Sequence, residues 1–357
     1  MGSGMRTGVL IVGGGFGGLF AAIKARENGA ADVLVVDKGA AGRSGQSSLS
    51  AGATIYCLPE MGDDPEGWLR AIFLGREGLC RQDLVESYLA RSGERLGELR
   101  DMGVEFAPGL DGEPYLRLPA RGLEPGMMTV LPRYRNLSGG RALTAALRRK
   151  ATGMGVSFLD KTFVGDLPVQ DGRVVGAVGC HRRSGEFLVL QAGAVVMAAA
   201  DCGFRGNYAC VESATGDSFA MAYRAGAGLA DMEMPCSNTA PPGYNFEGTG
   251  PACLLGAVFL NRKREDSLAR YCPQGSLAEV NRIVQFMARE KEKGNGPPFY
   301  LDFTAIPARH PGLDVERAVY TNMGGRMPLN LRRLREEGIT PPFLPSTPPS
   351  RPCGEGW

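Results

Sequence analysis

Two apolar runs open the chain. Residues 7–12 (TGVLIV) lead into a cluster of glycines, then LFAAIKARENG, and then a second run, VLVV at 33–36, which ends in Asp37. Runs of this length without polar alternation mark strands buried on both faces. The segment between them has helical spacing and stops at Asn28-Gly29, a residue pair suited to ending a helix. Strand, helix and strand in this order predict a βαβ unit with parallel strands. Farther on, residues 82–102 carry Leu84, Val85, Tyr88, Leu89, Leu96 and Leu99 near one face of an amphipathic helix. Residues 105–138 are irregular and rich in Pro and Gly, and a further helix is predicted over 141–152.

From 156 to 198 the pattern becomes one of short strands: VSFL, TFVGDL, RVVGAVGCH, EFLVLQ and AVVMA. Gly-Asp-type turns such as Gln170-Asp171-Gly172 separate them, which predicts a small antiparallel meander returning the chain to the first sheet. Helices are predicted over 218–230 and near 276–293. After about residue 240 the texture turns to segments broken by Pro and Gly. The last 17 residues contain six prolines and no periodicity, so they are expected to be disordered. The organisation expected is a first domain over 1–238, a second, capping domain over 239–340 and a tail over 341–357.

Composition narrows the function classes. The chain has 357 residues, enough for two domains with real cores. Its formal charge of +2 gives no electrostatic footprint for nucleic acid or an acidic membrane surface. No run approaches the ~18 apolar residues of a membrane span, and the opening residues show no cationic-then-apolar signal pattern. Nine cysteines, odd in number and with no CxxC, suggest reduced thiols in the cytoplasm rather than a disulfide framework or a metal site. Glycine is the outlier. Its 52 residues are about twice the usual ~7%, as if backbone must turn tightly or approach a ligand closely at many places.

Gly13, Gly15 and Gly18 fit the GxGxxG pattern, with Phe16 and Gly17 between them. In a βαβ unit the first glycine makes the strand-to-helix turn, the second admits a pyrophosphate and the third packs the helix on the sheet. The helix N-terminus would hold the phosphates. Asp37 stands where a carboxylate accepts hydrogen bonds from the adenosine ribose, and an acid there argues against a 2′-phosphate. This unit alone leaves FAD and NAD both open. The following loop, Lys38 to Gly52, is rich in small residues and hydroxyls (Ser44, Gly45, Gln46, Ser47, Ser48, Ala51), with Arg43 as a cation. Such a loop can run alongside a long extended cofactor; a nicotinamide site would not require it.

VLIVGGGFGGLFAAIKA, VVDKGAAGRSGQSSLSAG and ATGDSFAMAYRAGAGLADMEM resemble the flavoprotein family of fumarate reductase and succinate dehydrogenase, which includes L-aspartate oxidase and the adenylylsulfate reductase flavoprotein subunit. The resemblance implies an α/β fold: a Rossmann-like FAD-binding domain with a parallel sheet and a small meander, followed by an incomplete α+β cap. It implies FAD as cofactor, hydride transfer between flavin and a small organic acid, and electrons often passed to an iron–sulfur subunit. It assigns Gly13 to Gly18 and Asp37 to Gly52 to FAD, and adds Val164 near adenine, Ala199 and Asp217. For Asp217 an ordinary helix N-cap is the competing role. The family's AxGG turn is altered here to Ala199-Ala200-Asp201-Cys202-Gly203.

The resemblance also breaks in places. Gly45 stands where covalent members carry a histidine, so FAD is expected to be non-covalent. Asn238 falls where succinate-type members have a substrate histidine, and Thr249 is a second substrate candidate. The family's catalytic arginine aligns near Leu277, with Arg282 as a neighbouring candidate. His310 is a weak catalytic candidate; His181, the only other histidine, reads as an exposed strand-end residue. Family segments expected beyond the cap are missing, so the chain reads as a truncated or frame-shifted product, with a natural split protein as the alternative. Two functions follow: an FAD-dependent oxidoreductase acting on an acid other than succinate or fumarate, or a nucleotide-binding but catalytically incomplete chain that needs a partner.

Overall fold

The computed structural model describes residues 3–50, 54–106, 117–119, 128–130, 132–134, 137–203, 213–233, 249–312 and 336. The chain opens with β1 (Ser3–Val12), α1 (Phe16–Glu27), β2 (Val33–Val36) and a one-turn helix α2 (Gln46–Leu49). Short strands β3 to β8 follow (Thr54–Ile55, Glu105–Phe106, Arg117–Pro119, Met128–Val130, Pro132–Tyr134, Leu137–Ser138). Among them lie the helices α3 (Pro65–Gly75) and α4 (Gln82–Asp101). Then come α5 (Gly140–Gly153), β9 (Ser157–Leu159), β10 (Thr162–Asp166), β11 (Val169–Gln170), β12 (Arg173–Val174), β13 (Gly176–His181), β14 (Phe187–Met197) and α6 (Asp217–Arg224).

Six of these strands form one sheet in the order β10-β13-β14-β1-β2-β9. β14, β1, β2 and β9 run parallel, while β13 and β10 add to the β14 side antiparallel. The expected parallel sheet and meander are therefore one continuous mixed sheet. VSFL is not part of the meander; as β9 it lies beside β2, at the opposite edge. EFLVLQ and AVVMA are a single strand, β14, because nothing between them breaks the extended backbone. The turn at Asp171-Gly172 is as expected: both residues have positive φ (51° and 72°), the conformation that joins strands by a two-residue hairpin.

Both faces of the parallel strands are covered. Ile11, Val33 and Val35 pack with Leu19 and Ile23 of α1, Leu143 and Leu147 of α5, and Leu96 and Leu99 of α4. Leu10, Val12, Leu34 and Val36 face the other way, toward Met221 of α6, Val164 and Leu190. This two-sided burial is why the strands read as unbroken apolar runs. Each fully buried aliphatic side chain contributes about 1.5–3 kcal/mol, so α1 is pinned to the sheet independently of any ligand. α4 departs from the expected face: Leu89, Leu96 and Leu99 are buried, but Leu84 and Tyr88 in its first turns stand exposed. α6 ends six residues earlier than expected, where Gly226 takes positive φ just past the helix.

Residues 249–312 build their own cores. α7 (Thr249–Leu254), β15 (Val258–Leu260), α8 (Val280–Glu292), β16 (Tyr300–Asp302) and α9 (Ile306–Arg309) follow in order, with β15 and β16 antiparallel. Phe259, Leu268, Ile283 and Phe286 form one cluster; Ala252, Ala257, Phe303 and Ile306 form another. The boundary expected at 238/239 and the tail 341–357 lie outside the described residues. Among the described residues, no helix is long and apolar enough to cross a membrane.

Candidate cofactor-binding site

The site lies at the carboxyl ends of β1, β2 and β14, where open α/β sheets take their ligands. Gly13 leaves β1 with φ of 106°, and its N–H still reaches the Val36 carbonyl at 2.8 Å. A methyl group on it would stand 2.2 Å from the Ala198 carbonyl oxygen, so only glycine lets β14 come this close. Gly18 is equally confined: its Cβ would lie 1.9 Å from the Gly13 oxygen. Gly17 differs, because a Cβ there meets nothing within 4 Å. Gly15 caps α1 with extended backbone and no side chain to contribute, so the first turn of the helix gets no cap from its own N-cap residue.

The loop after β2 folds back over this turn. Ser47 Oγ accepts the Phe16 N–H at 3.1 Å, acting as a cap supplied from 31 residues away. The Asp37 carboxylate accepts from Gly14 N (2.7 Å), Gly39 N (2.6 Å) and Ser44 Oγ (3.3 Å). One acid thus joins the glycine turn to the start of the loop, and the two carboxylate oxygens keep acceptor capacity for a further donor. Gly45 holds φ of 81° at the entry to α2, Ser48 donates back to its carbonyl, and the Arg43 side chain is exposed. Ala51 and Gly52 lie outside the described residues.

Several residues that sequence patterns did not single out hold this loop. Asp160 Oδ1 accepts the Ala41 N–H at 2.9 Å, while Arg148 donates to the Ala41 carbonyl at 3.0 Å and lies over the Phe158 ring. Gly140, at the start of α5, donates to Ser50 O, and a side chain there would strike Ser47 O at 1.8 Å. Gln46 Nε2 donates to Asp201 Oδ1 at 3.0 Å. These partners lie far apart along the chain.

The far side of the site is set by α6. Asp217 is its first residue, but the N-cap is Gly216 with φ of 75°, and no side chain caps the helix. The N-cap role is therefore not realised. Instead Lys38 Nζ reaches Asp217 Oδ2 at 3.2 Å and Thr215 Oγ1 at 3.0 Å. Burial alone would raise the Asp217 carboxyl; the Thr215 hydroxyl and the Lys38 ammonium outweigh it and hold the group below the usual carboxylate range. Val164 is buried in β10 beside a bulge between Val164 and Asp166, and Ala199 packs partly buried against the α6 face of the sheet.

The catalytic and substrate candidates are less drawn together. Arg282 lies in the first turn of α8, where its charge acts on Glu279. His310 is exposed just after α9, and Leu277 is exposed in a short 3-10 turn before α8. His181 is a strand-end residue whose ring nitrogen bonds Ser184 at 2.9 Å. Asn238 lies outside the described residues, and of Thr249 only the backbone, as the first residue of α7, is described. Among the described residues no group of His, Cys, Asp and Glu could hold a metal ion, and none of the six described cysteines is in a disulfide.

Residues 8–338 match the family model described as FAD binding domain. The fumarate reductase flavoprotein subunit of Mycobacterium tuberculosis is 30% identical over 333 residues, covering 86% of this chain and 54% of that protein. The 8-methylmenaquinol:fumarate reductase flavoprotein subunit of Wolinella succinogenes is 28% identical over 310 residues, covering 84% and 49%. Among solved structures, quinol fumarate reductase from E. coli superposes with a TM-score of 0.76 at 23% identity, over 95% of this chain and 58% of that one. Adenylylsulfate reductase from Archaeoglobus fulgidus gives 0.74 at 21%, over 99% and 58%. The chain spans about half the length of the curated relatives it matches. With the glycine turn, the acid closing β2 and the loop laid over them, this match places the chain in the FAD binding domain family, together with the flavoproteins of fumarate reductase and succinate dehydrogenase.

Proposed function

We propose that this chain is the FAD-holding part of an oxidoreductase that moves a hydride between flavin and a small organic acid other than succinate or fumarate. The observation that carries the reading is the turn itself. Gly13 and Gly18 let β14 and α1 close on the turn where a Cβ would clash, Gly15 starts α1 with no side-chain cap of its own, and Asp37 sits beside the turn on the Gly14 N–H. That donor set fits FAD: cationic and N–H groups for a pyrophosphate, an acid for ribose hydroxyls, and a hydroxyl-rich loop for the rest. In this reading Gly13 to Gly18 hold the phosphates, Asp37 the ribose, Val164 the adenine side, and Lys38 to Gly52, Ala199 and Asp217 the remainder. Once bound, FAD supplies a two-electron carrier; the protein's task is to hold it, orient it and keep water from its reacting face. Residues 1–238 would form the cofactor domain and 239–340 the cap. The names of the relatives as flavoprotein subunits support a partner chain, which the family resemblance makes an iron–sulfur electron-transfer subunit, and the unremarkable cysteine pattern supports a cytoplasmic site.

The choice of acid rests on Leu277 and Asn238. An exposed aliphatic side chain cannot protonate a substrate carbon, and a positioned general acid contributes ~10²–10⁴-fold. The same Leu277 favours the second reading, a cofactor-binding unit whose substrate site is completed by another polypeptide. Purified protein reconstituted with FAD should release all of its yellow colour on acid precipitation, because Gly45 offers no attachment atom. It should also fail to oxidise a reduced viologen dye with fumarate. Robust fumarate turnover would overturn the substrate assignment; turnover only after addition of a second chain would select the second reading.

A further inference from the structure

The turn after β14 carries a feature the cofactor reading does not require. Ala200 is a non-glycine residue with φ of 65°, an unfavourable conformation that persists only where surrounding structure holds it. Three hydrogen bonds hold it here. Ser218 Oγ, from α6, donates to the Ala200 carbonyl at 2.7 Å, and Gly203 N donates to Ala214 O at 2.8 Å. The third comes from the opposite side: Gln46 Nε2, from the loop over the glycine turn, donates to Asp201 Oδ1 at 3.0 Å. The strand leading into this turn touches the glycine cradle, since the Ala198 oxygen is the atom that would strike a side chain at Gly13. Gln46 and Asp201 are separated by 155 positions, and both side chains are only partly exposed.

We infer that the Gln46–Asp201 hydrogen bond is a latch across the mouth of the FAD cleft, with Asp201 a positioning residue that holds the serine-rich loop down over the bound cofactor. It rests on the FAD reading of the same site. The chemistry is specific to this pair. An amide N–H donating to a carboxylate is a charge-assisted bond, stronger than a neutral one. Neither of the other two anchors of the turn reaches the loop; they fix Ala200 from α6 and from within the segment. The latch is therefore a tie between the loop and the segment after β14 that is separate from the Lys38 contacts with Thr215 and Asp217, and it can open without unfolding either side. A cofactor leaving past the loop has to wait for that opening.

The test compares FAD release from the full-length holoprotein, followed by flavin fluorescence after dilution into excess apoprotein scavenger, for wild type, Gln46→Ala, Asp201→Ala and the double variant. Each single variant should speed release about tenfold, in the range of one net hydrogen bond to a charged group. The double variant should release no faster than either single one, because both remove the same bond. Asp201→Asn keeps an acceptor oxygen and should restore most of the retention. The thermal midpoint of the apoprotein should be the same in all of them, since the latch acts on a cleft and not on a core. Additive effects of the two alanines, unchanged release, or a fall in the apoprotein midpoint that Asp201→Asn does not recover would each overturn the inference. Wild-type protein that takes up no FAD would sink the cofactor reading, and the latch with it.

Discussion

The carboxylate at the glycine turn keeps acceptor capacity beyond its protein partners, whereas a buried polar network within residues 249–312 is satisfied by its own neighbours. At the glycine turn, Ser47 accepts the first N–H of α1, and Asp37 ties backbone N–H groups while retaining acceptor capacity. In the second region Glu290 is 1% exposed and Asn261 fully buried. Tyr271 donates to Glu290 Oε1 at 2.6 Å, Asn261 Nδ2 to Glu290 Oε2 at 3.0 Å, and Lys293 to the Tyr271 oxygen at 2.8 Å. Asn261 Oδ1 accepts two backbone N–H groups besides. The second network is closed on itself and works as a scaffold. The first is held in shape by the Asp37 and Ser47 side chains, and its carboxylate keeps acceptor capacity. Buried polarity that is already satisfied builds structure, and polarity held in reserve builds a site.

The comparison breaks most visibly at the glycines. Gly18→Ala would drive a methyl into the Gly13 carbonyl, so the α1–β1 contact must open. The expected cost is at the upper end of the about 1–3 kcal/mol of overpacking, with FAD uptake lost. Gly17→Ala places its methyl in open space and should keep the fold while probing how closely the cofactor approaches. Thermal melts and FAD titrations of the two variants check this; equal losses would mean that the crowding at Gly18 is not what confines the site.

Glu290→Ala should come next, leaving the Tyr271 hydroxyl without its acceptor and the Asn261 amide with Glu265 alone, at about 1–3 kcal/mol. FAD affinity should hold, because the network lies in the other region; a parallel loss of FAD would merge the two regions into one unit. Burial alone would raise the Glu290 carboxyl, but Tyr271, Asn261, Asn295 and the Lys293 charge hold it below its usual value. A depressed carboxylate contributes stability above the ordinary carboxylate range and loses it as pH falls through the lowered value. Acid unfolding of wild type should therefore be steeper than that of Glu290→Gln.

Lys38 and Asp217 come third. Their side chains are 37% and 31% exposed, so the ion pair itself should contribute under about 1 kcal/mol to stability. Its larger consequence is for the loop after β2, whose first residue it ties to α6. A double-mutant cycle of Lys38→Ala and Asp217→Ala should show coupling in FAD affinity that exceeds the coupling in thermal stability. As Asp217 is depressed, that coupling is present at neutral pH and fades as pH falls through its lowered value. Equal coupling in both measurements would make the pair structural.

How much of this was legible beforehand follows from sequence distance. The βαβ unit, the acid at its end, the stop of α1 at Asn28-Gly29 and the Asp171-Gly172 hairpin are local, and each can be read from a few adjacent residues. Ser47 capping Phe16, Asp160 on Ala41 and Gln46 on Asp201 join residues 31, 119 and 155 apart, and no local pattern announces them. The same limit misplaced VSFL: a three-residue strand carries no sign of which edge it will join, and only pairing with β2 decided it. Asp217 was ambiguous for a different reason. An acid before a helix reads as an N-cap, and the competing partner, Lys38, lies in another element.

The smallest effect tests where the two regions touch. Glu279 precedes α8 and its carboxyl lies over Gly75, the last residue of α3; any side chain at 75 would stand 2.2 Å from Glu279 Oε1. Burial there pushes the Glu279 carboxyl up, opposed by Arg76 and Arg282 and aided by Glu77. A raised acid binds its proton more tightly when folded. Its contribution is therefore complete below the ordinary carboxylate value of 4.5 and is lost as pH rises through the elevated one. Glu279→Gln imitates the protonated form, so it should leave stability unchanged in acid and alter it by no more than about 0.5 kcal/mol at neutral pH, as half-exposed positions do. Denaturant midpoints of both proteins across that pH range decide the matter. Converging in acid and separating above it would place a titrating contact between α3 and α8, whereas parallel curves would leave Glu279 with no part in joining the regions.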